Sequence, residues 1–123
     1  SITKPKDLEH ASCLLQTLTR QDLSWRFGLG SRSQTVKVSG TFRCNSVLAL
    51  RTAAVRGLGV ALLPEAYIRR ELEDGVLRVI DVEPSPASRP VYIVLPGNKQ
   101  VPSATRLLIT FLARWYKSRA WEQ

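Results

Sequence analysis

The segment RGLGVALLPE, residues 56–65, constrains the fold more than any other part of this chain. Two glycines bracket Leu58, the apolar run VALLP follows, and an acidic residue comes after the proline. An uninterrupted run of this kind is typical of a strand that is covered on both faces, as in parallel sheets. The run therefore predicts a buried, central strand of an α/β sheet, and Gly59 allows the backbone to turn closely before it.

A helix is predicted directly before this strand, over residues 45–56. Apolar residues recur there at helical spacing, Asn45 is a natural N-cap, and Gly57 stands just past the last turn. A helix followed after two residues by a buried strand is half of a βαβ unit. We therefore expect a three-layer α/β fold with a mixed, mostly parallel sheet and flanking helices.

The other segments fit the same fold class. We expect a helical turn from Pro5, a short helix after Pro64, a turn at residues 73–75 and an amphipathic helix from Ser103 to about Ser118. Residues 22–40 predict a hairpin-like pair of strands, and further strands are expected at residues 13–18, 76–82 and 91–95. These elements suit one small domain of 123 residues, too short for two sizeable lobes.

The charge of the chain does not predict a DNA-binding face. The formal net charge is +8, but the basic residues are spread along the chain and only Arg69 and Arg70 are adjacent. No apolar stretch approaches the roughly 20 residues that span a bilayer, and the first ten residues do not form a signal peptide. A cytoplasmic protein without membrane contact is expected, and the absence of Met indicates a piece of a longer protein.

The residues that could carry catalysis are few. Cys13 and Cys44 are separated by thirty residues, and His10 is the only histidine. This set makes neither a CxxC pair nor the four ligands of a structural zinc site. We expect two reduced structural thiols, no metal, no cofactor and no enzymatic activity. A small enzyme with Cys44 as nucleophile is the alternative, but nothing in the sequence places a general base such as His10 beside it.

The segment VSGTFRCNS, residues 38–46, predicts a small-anion site. It offers the hydroxyls of Ser39 and Thr41, the amides near Gly40, the guanidinium of Arg43 and the free N–H groups that follow Asn45. The alternative is an ordinary, well-capped loop between a strand and a helix. Ligands in open α/β sheets bind beyond the carboxyl ends of the strands, which adds two residues to the candidate site: Leu63 and Pro64.

The runs VSGTFRCNSVLALRTAAVRGLGVALLPEAYIRRELEDGVLRVI and RPVYIVLPGNKQVPSATRLLITFL resemble the effector-binding region of LysR-type transcriptional regulators. The resemblance covers roughly residues 6–112, and ALRTAAVRGLGVALLP is its most specific part. It implies a sensor built like a type 2 periplasmic binding protein, with an effector cleft between two α/β subdomains. By this resemblance, residues 5–82 are the second subdomain, 83–90 a connector, and 91–119 a strand and helix that return to the first subdomain.

The resemblance also implies roles and partners. Arg43 would be the anion partner, Asn45 a cap and polar contact, and Pro64 the edge that shapes the site. A small-molecule effector would change the geometry of a homo-oligomer, and DNA would be contacted only through an N-terminal helix-turn-helix outside this chain. Some relatives sense oxidants through two nearby cysteines, a spacing this sequence lacks. A solute-binding protein of the same architecture is the alternative.

The C-terminal helix predicts self-association. Its apolar stripe would lack the cover of a first subdomain, and exposed patches of that kind drive association. We expect a homodimer that exchanges this helix, or a helix that packs back on its own sheet; the stripe consists of Leu108, Phe111, Leu112 and Trp115.

Overall fold

A computed structural model describes residues 1–18, 23–97 and 100–118 of the chain. The chain divides into two compact units, Ser1–Ser88 and Arg89–Gln123. Residue 119, the expected end of the returning region, lies outside the described residues. The unit boundary falls within the segment 83–90.

Within the described residues, the first unit contains five strands and two α-helices, and the second contains one α-helix. The strands are β1 (Cys13–Gln16), β2 (Ser24–Phe27), β3 (Gln34–Lys37), β4 (Arg43–Cys44) and β5 (Val60–Ala61), and the α-helices are α1 (Val47–Val55), α2 (Arg69–Glu73) and α3 (Ser103–Lys117). Short 3-10 helices cover Pro5–His10, Gly30–Arg32 and Glu65–Tyr67. The predicted helix starts at Pro5, Pro64 and Ser103 are therefore confirmed within one residue.

The sheet is parallel, as predicted, with the order β4-β1-β5. Leu15 pairs with Arg43 on one side, and Cys13 pairs with Val60 on the other. The middle strand is thus β1, and the prediction that the VALLP run is the central strand is wrong. The main chain just before β5 lies very close to the main chain just before β1. A Cβ on Gly59 would overlap the carbonyl oxygen of Ser12.

Side-chain alternation along β1 builds two cores on opposite faces of the sheet. Leu14 packs with Leu50 and Ala53 of α1. On the other face, Cys13 and Leu15 pack with the antiparallel β2–β3 hairpin and the first 3-10 helix; the buried residues of that cluster are Leu8, Cys13, Leu15, Trp25, Phe27, Val36, Val38 and Val82. The predicted hairpin and the mixed α/β class are confirmed.

The strand after Gly59 is shorter and less buried than predicted. Only Val60 and Ala61 are in β5, and residues 60–63 are all half-buried. Val60 and Leu62 contact one core while Ala61 and Leu63 contact the other, so the run does face two apolar layers. Its burial is incomplete because no strand within the described residues pairs with its outer edge.

The predicted strands at residues 76–82 and 91–95 are not strands in the structure. Neither segment pairs with another segment in the described part of the chain. Their composition is strand-like, but a strand is defined by hydrogen bonds to a neighbour, and these segments have none. By contrast, part of the proline-rich connector is held: Gly28 N–H donates to the Ser85 carbonyl oxygen at 2.9 Å, and Ala87 N–H donates to the Arg26 carbonyl oxygen at 2.9 Å.

Candidate functional site

The carboxyl ends of three strands meet at one edge of the parallel sheet. There β1 ends at Gln16, β4 at Cys44, and the run that begins with β5 reaches Leu63. The Thr17 N–H donates to the Cys44 carbonyl oxygen at 2.9 Å, which holds the exits of β1 and β4 side by side. This edge, called the carboxyl edge below, is where ligands bind in open α/β sheets.

The N-terminus of α1 lies at the carboxyl edge, because only two residues separate the end of β4 from the start of α1. Its N-cap is Ser46, whose hydroxyl oxygen accepts a hydrogen bond from the Ala49 N–H at 3.3 Å. The prediction of Asn45 as the N-cap is therefore wrong, since the cap has shifted by one residue. The first-turn N–H groups that remain unbonded carry the positive end of the helix dipole, which favours an anion.

Three of the predicted site residues lie at this edge. Asn45 is exposed beside the cap, Leu63 is half-buried, and Pro64 is exposed at the start of the next 3-10 helix. Asn45 is not the N-cap, so its side-chain amide is not used to cap α1.

The Pro64 turn is held in place by Arg51 on α1. The Arg51 Nη1 donates to the Tyr67 carbonyl oxygen at 3.0 Å, and the Arg51 Nε lies 3.3 Å from the Glu71 Oε1. These contacts tie the 3-10 helix and α2 to the side of α1. The shape of the carboxyl edge near Pro64 is therefore linked to the position of α1.

The structure places Ser39 and Gly40 at the other end of β1. The Ser39 carbonyl oxygen accepts a hydrogen bond from the Cys13 N–H at 2.9 Å, and a Cβ on Gly40 would overlap the Cys13 carbonyl oxygen. Cys13 and Thr17 are four residues apart on an extended chain, roughly 13 Å. Ser39 and Gly40 are therefore not brought together with Asn45, and the exposed Thr41 lies between the two positions.

Arg43 lies on the face of the sheet opposite to α1. Phe42 and Cys44 pack with the α1 core, and alternation sends the intervening Arg43 side chain to the other face. The side chain is exposed, and Arg43 takes part in neither of the ion pairs that the described residues form. A ligand on the α1 side would have to extend around the edge of the sheet to reach it.

Sequence reasoning missed three polar residues at the carboxyl edge: Gln16, Thr17 and Ser46. Gln16 is half-buried and Thr17 is exposed, and both follow the buried residues 13–15. The rule that selected Leu63 and Pro64, a position just after a buried strand, would also have selected Gln16 and Thr17.

The two cysteines are free thiols on opposite faces of the sheet. Cys13 belongs to the hairpin core and Cys44 packs against the α1 core. Burial raises the pKa of the Cys13 thiol, which keeps it protonated and unreactive at neutral pH. The Cys44 thiol donates to the Ser46 carbonyl oxygen at 3.4 Å.

Across residues 1–18, 23–97 and 100–118, no three His, Cys, Asp or Glu side chains form a group that could hold a metal ion. The helices described there are each too short or too polar to cross a membrane.

Comparison with known proteins gives a family match over residues 1–117, to the LysR substrate binding domain. An uncharacterized HTH-type transcriptional regulator of Haemophilus influenzae is 31% identical over 98 residues, covering 80% of this chain and 34% of the relative. The RuBisCO operon transcriptional regulator of Acidithiobacillus ferrooxidans is 33% identical over 64 residues, covering 52% and 21%. The chain therefore spans about a third or less of the length of these relatives.

The fold also matches a solved regulatory domain. The regulatory domain of AphB from Vibrio vulnificus aligns with a TM-score of 0.60 and 26% identity, covering 92% of this chain and 56% of that domain. Nearly all of the chain thus corresponds to somewhat more than half of a regulatory domain.

Proposed function

The chain belongs to the LysR substrate-binding domain family, and on that premise we propose that it is the effector-sensing part of a DNA-binding transcriptional regulator. The relatives named as transcriptional regulators support this assignment. DNA contact would belong to the helix-turn-helix part of such a regulator, in the share of the relatives that this chain does not match. Effector sensing of this kind would involve binding without a catalytic step.

The observation that carries the proposal is the convergence of the α1 N-terminus with polar strand ends at the carboxyl edge. Alternation along β1 places the Gln16 side chain on the face of α1, Asn45 directly precedes the Ser46 N-cap, and Leu63 and Pro64 supply an apolar border. Helix N–H groups and the helix dipole favour negative charge. The effector is therefore proposed to be a small anion, such as a carboxylate.

The remaining predicted residues would contact other parts of the effector. Arg43 would contact the anion only if the effector extends around the sheet edge, because its side chain lies on the face away from α1. Ser39, Gly40 and Thr41 would contact a part of the effector distant from the helix N-terminus, since Ser39 and Gly40 lie beside the start of β1.

Signal transmission is proposed to follow the two-subdomain scheme of the family. Residues 5–82 would supply one wall of the effector cleft, and residues 91–119 would pack on the other subdomain. Effector binding would favour one relative arrangement of the subdomains and so change the geometry of a homo-oligomer, a shift between existing states.

Chemical-shift mapping with ¹⁵N-labelled chain tests the effector site, with succinate, benzoate and glutamate as probes. We expect the amide resonances of Val47 and Leu48 to move as the probe is added, because these N–H groups open the first turn of α1. Gln16→Ala and Asn45→Ala should each weaken binding several-fold, as loss of a neutral hydrogen bond costs about 0.5–1.5 kcal/mol.

Two further variants complete this test. Arg106→Ala, which removes an exposed arginine on α3, is the matched control and should leave the shifts unchanged. Arg43→Ala shows whether the guanidinium reaches the anion. Absence of shifts at Val47 and Leu48 with every probe, or shifts that persist unchanged in both Gln16→Ala and Asn45→Ala, would refute the site.

A further inference from the structure

Arg51 lies on the same helix as the N–H groups proposed to bind the effector. It is four residues after Val47, the first residue of α1, which places it roughly 6 Å further along the helix axis. Its side chain is 32% exposed, so the guanidinium is partly withdrawn from solvent. Because both positions belong to one hydrogen-bonded helix, the start of the Arg51 side chain is fixed relative to the α1 N-terminus.

Two consecutive hydrogen bonds connect Arg51 to Pro64, which borders the proposed site. The Arg51 Nη1 donates to the Tyr67 carbonyl oxygen at 3.0 Å, and the Tyr67 N–H donates to the Pro64 carbonyl oxygen at 3.0 Å. Tyr67 precedes Ile68, the N-cap of α2, so its carbonyl group lies outside the hydrogen-bond ladder of that helix. The guanidinium therefore holds one end of the turn whose other end is Pro64.

Glu71 of α2 holds the guanidinium in this position. The Arg51 Nε lies 3.3 Å from the Glu71 Oε1, and the Glu71 side chain is only 19% exposed. The second carboxylate oxygen, Oε2, is buried and has no hydrogen-bond partner among the described residues. Separating the pair would leave this carboxylate without compensation in a poorly solvated place, which is strongly unfavourable. The ion pair therefore keeps α2 and the Pro64 turn against α1.

We propose that Arg51 is a positioning residue for the effector site. It sets the position of Pro64 relative to the α1 N-terminus, and thereby the affinity for a small anion at the carboxyl edge. The role assigned to Arg51 rests on the proposed function, since it acts on that site. Arg51 does not contact the anion in this scheme, because its guanidinium is engaged by Tyr67 and Glu71. A site held in its binding geometry loses less conformational freedom on binding, which raises affinity.

Positioning and simple charge attraction predict different effects for two substitutions. Arg51→Lys keeps the positive charge, but a single ammonium does not reproduce the planar guanidinium that contacts two groups. Positioning predicts weaker binding in this variant, whereas charge attraction predicts little change. Glu71→Ala removes a negative charge and releases the guanidinium, so positioning predicts weaker binding and charge attraction predicts tighter binding.

The affinity is measured by the chemical-shift titration at Val47 and Leu48, with succinate, benzoate and glutamate as probes. We expect Arg51→Ala and Arg51→Lys to raise the Kd roughly 3- to 10-fold, the usual size of such indirect effects. Glu71→Ala should raise it by a smaller factor, because the bond to the Tyr67 carbonyl can persist. Arg70→Ala is the matched control: it breaks an ion pair within α2 whose arginine side chain is 90% exposed, and should leave the Kd unchanged.

Hydrogen exchange of the chain without a probe tests the connection to Pro64 directly. The Tyr67 N–H should exchange severalfold faster in Arg51→Ala than in the wild type or in Arg70→Ala, because the turn opens more often. The Cys13 N–H, bonded within the sheet, should exchange at the wild-type rate. Unchanged exchange at Tyr67 would contradict the positioning role. Equal acceleration at Tyr67 and Cys13 would assign any loss of affinity to general destabilisation instead.

The titration can overturn the proposal in three distinguishable ways. A wild-type Kd in both Arg51→Ala and Arg51→Lys would refute the role of Arg51 and leave the effector site intact. A wild-type Kd in Arg51→Lys together with tighter binding in Glu71→Ala would assign the effect of Arg51 to its charge. No binding of any probe to the wild-type chain would refute the effector site, and the positioning role with it.

Discussion

Many apolar side chains are buried in the first unit of this chain, whereas the apolar side chains described in the second unit are not. In the first unit, Leu15 is fully buried between two strands and under the hairpin. In the second unit, Phe111 is 62% exposed, and none of the residues that the structure describes there is buried. The segments that contain these residues, β1 and α3, both carry apolar patterns, so the pattern alone does not determine burial.

The difference separates elements that form from local contacts from those that need a distant partner. The helix α3 forms over 15 residues because its hydrogen bonds are internal to the segment. The strand-like run 91–95 remains unpaired in the structure, although it is richer in β-branched and aromatic residues than the paired β1. A strand thus requires a neighbour in space, whereas a helix requires only its own sequence.

A pair of leucine truncations should give the largest contrast between the units. Leu15→Ala removes a side chain from a closed core and should lower the free energy of unfolding by about 2–5 kcal/mol. Leu107→Ala, at a side chain that is 72% exposed, should change it by less than about 0.5 kcal/mol. Urea titration followed by far-UV circular dichroism measures both. Equal losses would show that α3 is covered in solution as well as β1 is.

A pair of glycine substitutions sharpens the same comparison at the level of the backbone. A Cβ on Gly40 would overlap the Cys13 carbonyl oxygen, whereas a Cβ on Gly97 would have no described atom within 4 Å. Gly40→Ala should therefore cost about 1–3 kcal/mol through overpacking, seen as a lower Tm. Gly97→Ala should leave the Tm almost unchanged. A Gly40→Ala protein as stable as the wild type would contradict the close approach of the two main chains.

Acid should lower the stability of the first unit through protonation of Asp7. This loss should be smaller than those caused by Leu15→Ala and Gly40→Ala. The Asp7 Oδ2 accepts hydrogen bonds from the Thr3 N–H at 2.9 Å and the Lys4 N–H at 3.0 Å, which lower the pKa of the carboxyl below its usual 3.8. A depressed folded-state pKa means that this contribution is present above the unfolded-state pKa and is lost as the pH falls through the folded-state pKa.

The measurement is the Tm between about pH 2 and pH 6. The wild type should lose stability more steeply below about pH 4 than Asp7→Asn, in which the group does not titrate. Residues 89–118 contain no Asp or Glu, so no side-chain carboxyl there titrates in this range. Identical slopes for the two proteins would show that the hydrogen bonds from Thr3 and Lys4 to Asp7 do not contribute to stability.

Much of the fold follows from the sequence, because helices and turns depend on short-range patterns. The span of α3, the start of the short helix after Pro64 and the hairpin are found where the periodicity predicted them. The parallel sheet also follows, since a helix between two apolar runs leaves few other connections. The neighbours of each strand do not follow, because pairing joins residues that are distant in the sequence.

The candidate site shows the same division. Placement beyond a buried strand predicted Leu63 and Pro64 at the carboxyl edge, but the cap moved from Asn45 to Ser46. Alternation along β4 placed Arg43 on the far face, which a list of polar residues in a loop could not show.

The sequence by itself determined the helices, the hairpin, the α/β class and the resemblance that the family match confirmed, because periodicity and local motifs are written in consecutive residues. Only the tertiary structure decided that β1 is the middle strand, that no strand within the described residues pairs with the outer edge of β5, and that Ser39 and Asn45 lie at different ends of the sheet. Those features depend on which distant segments lie side by side, and one more strand at the β5 edge would change several of them without altering any local pattern.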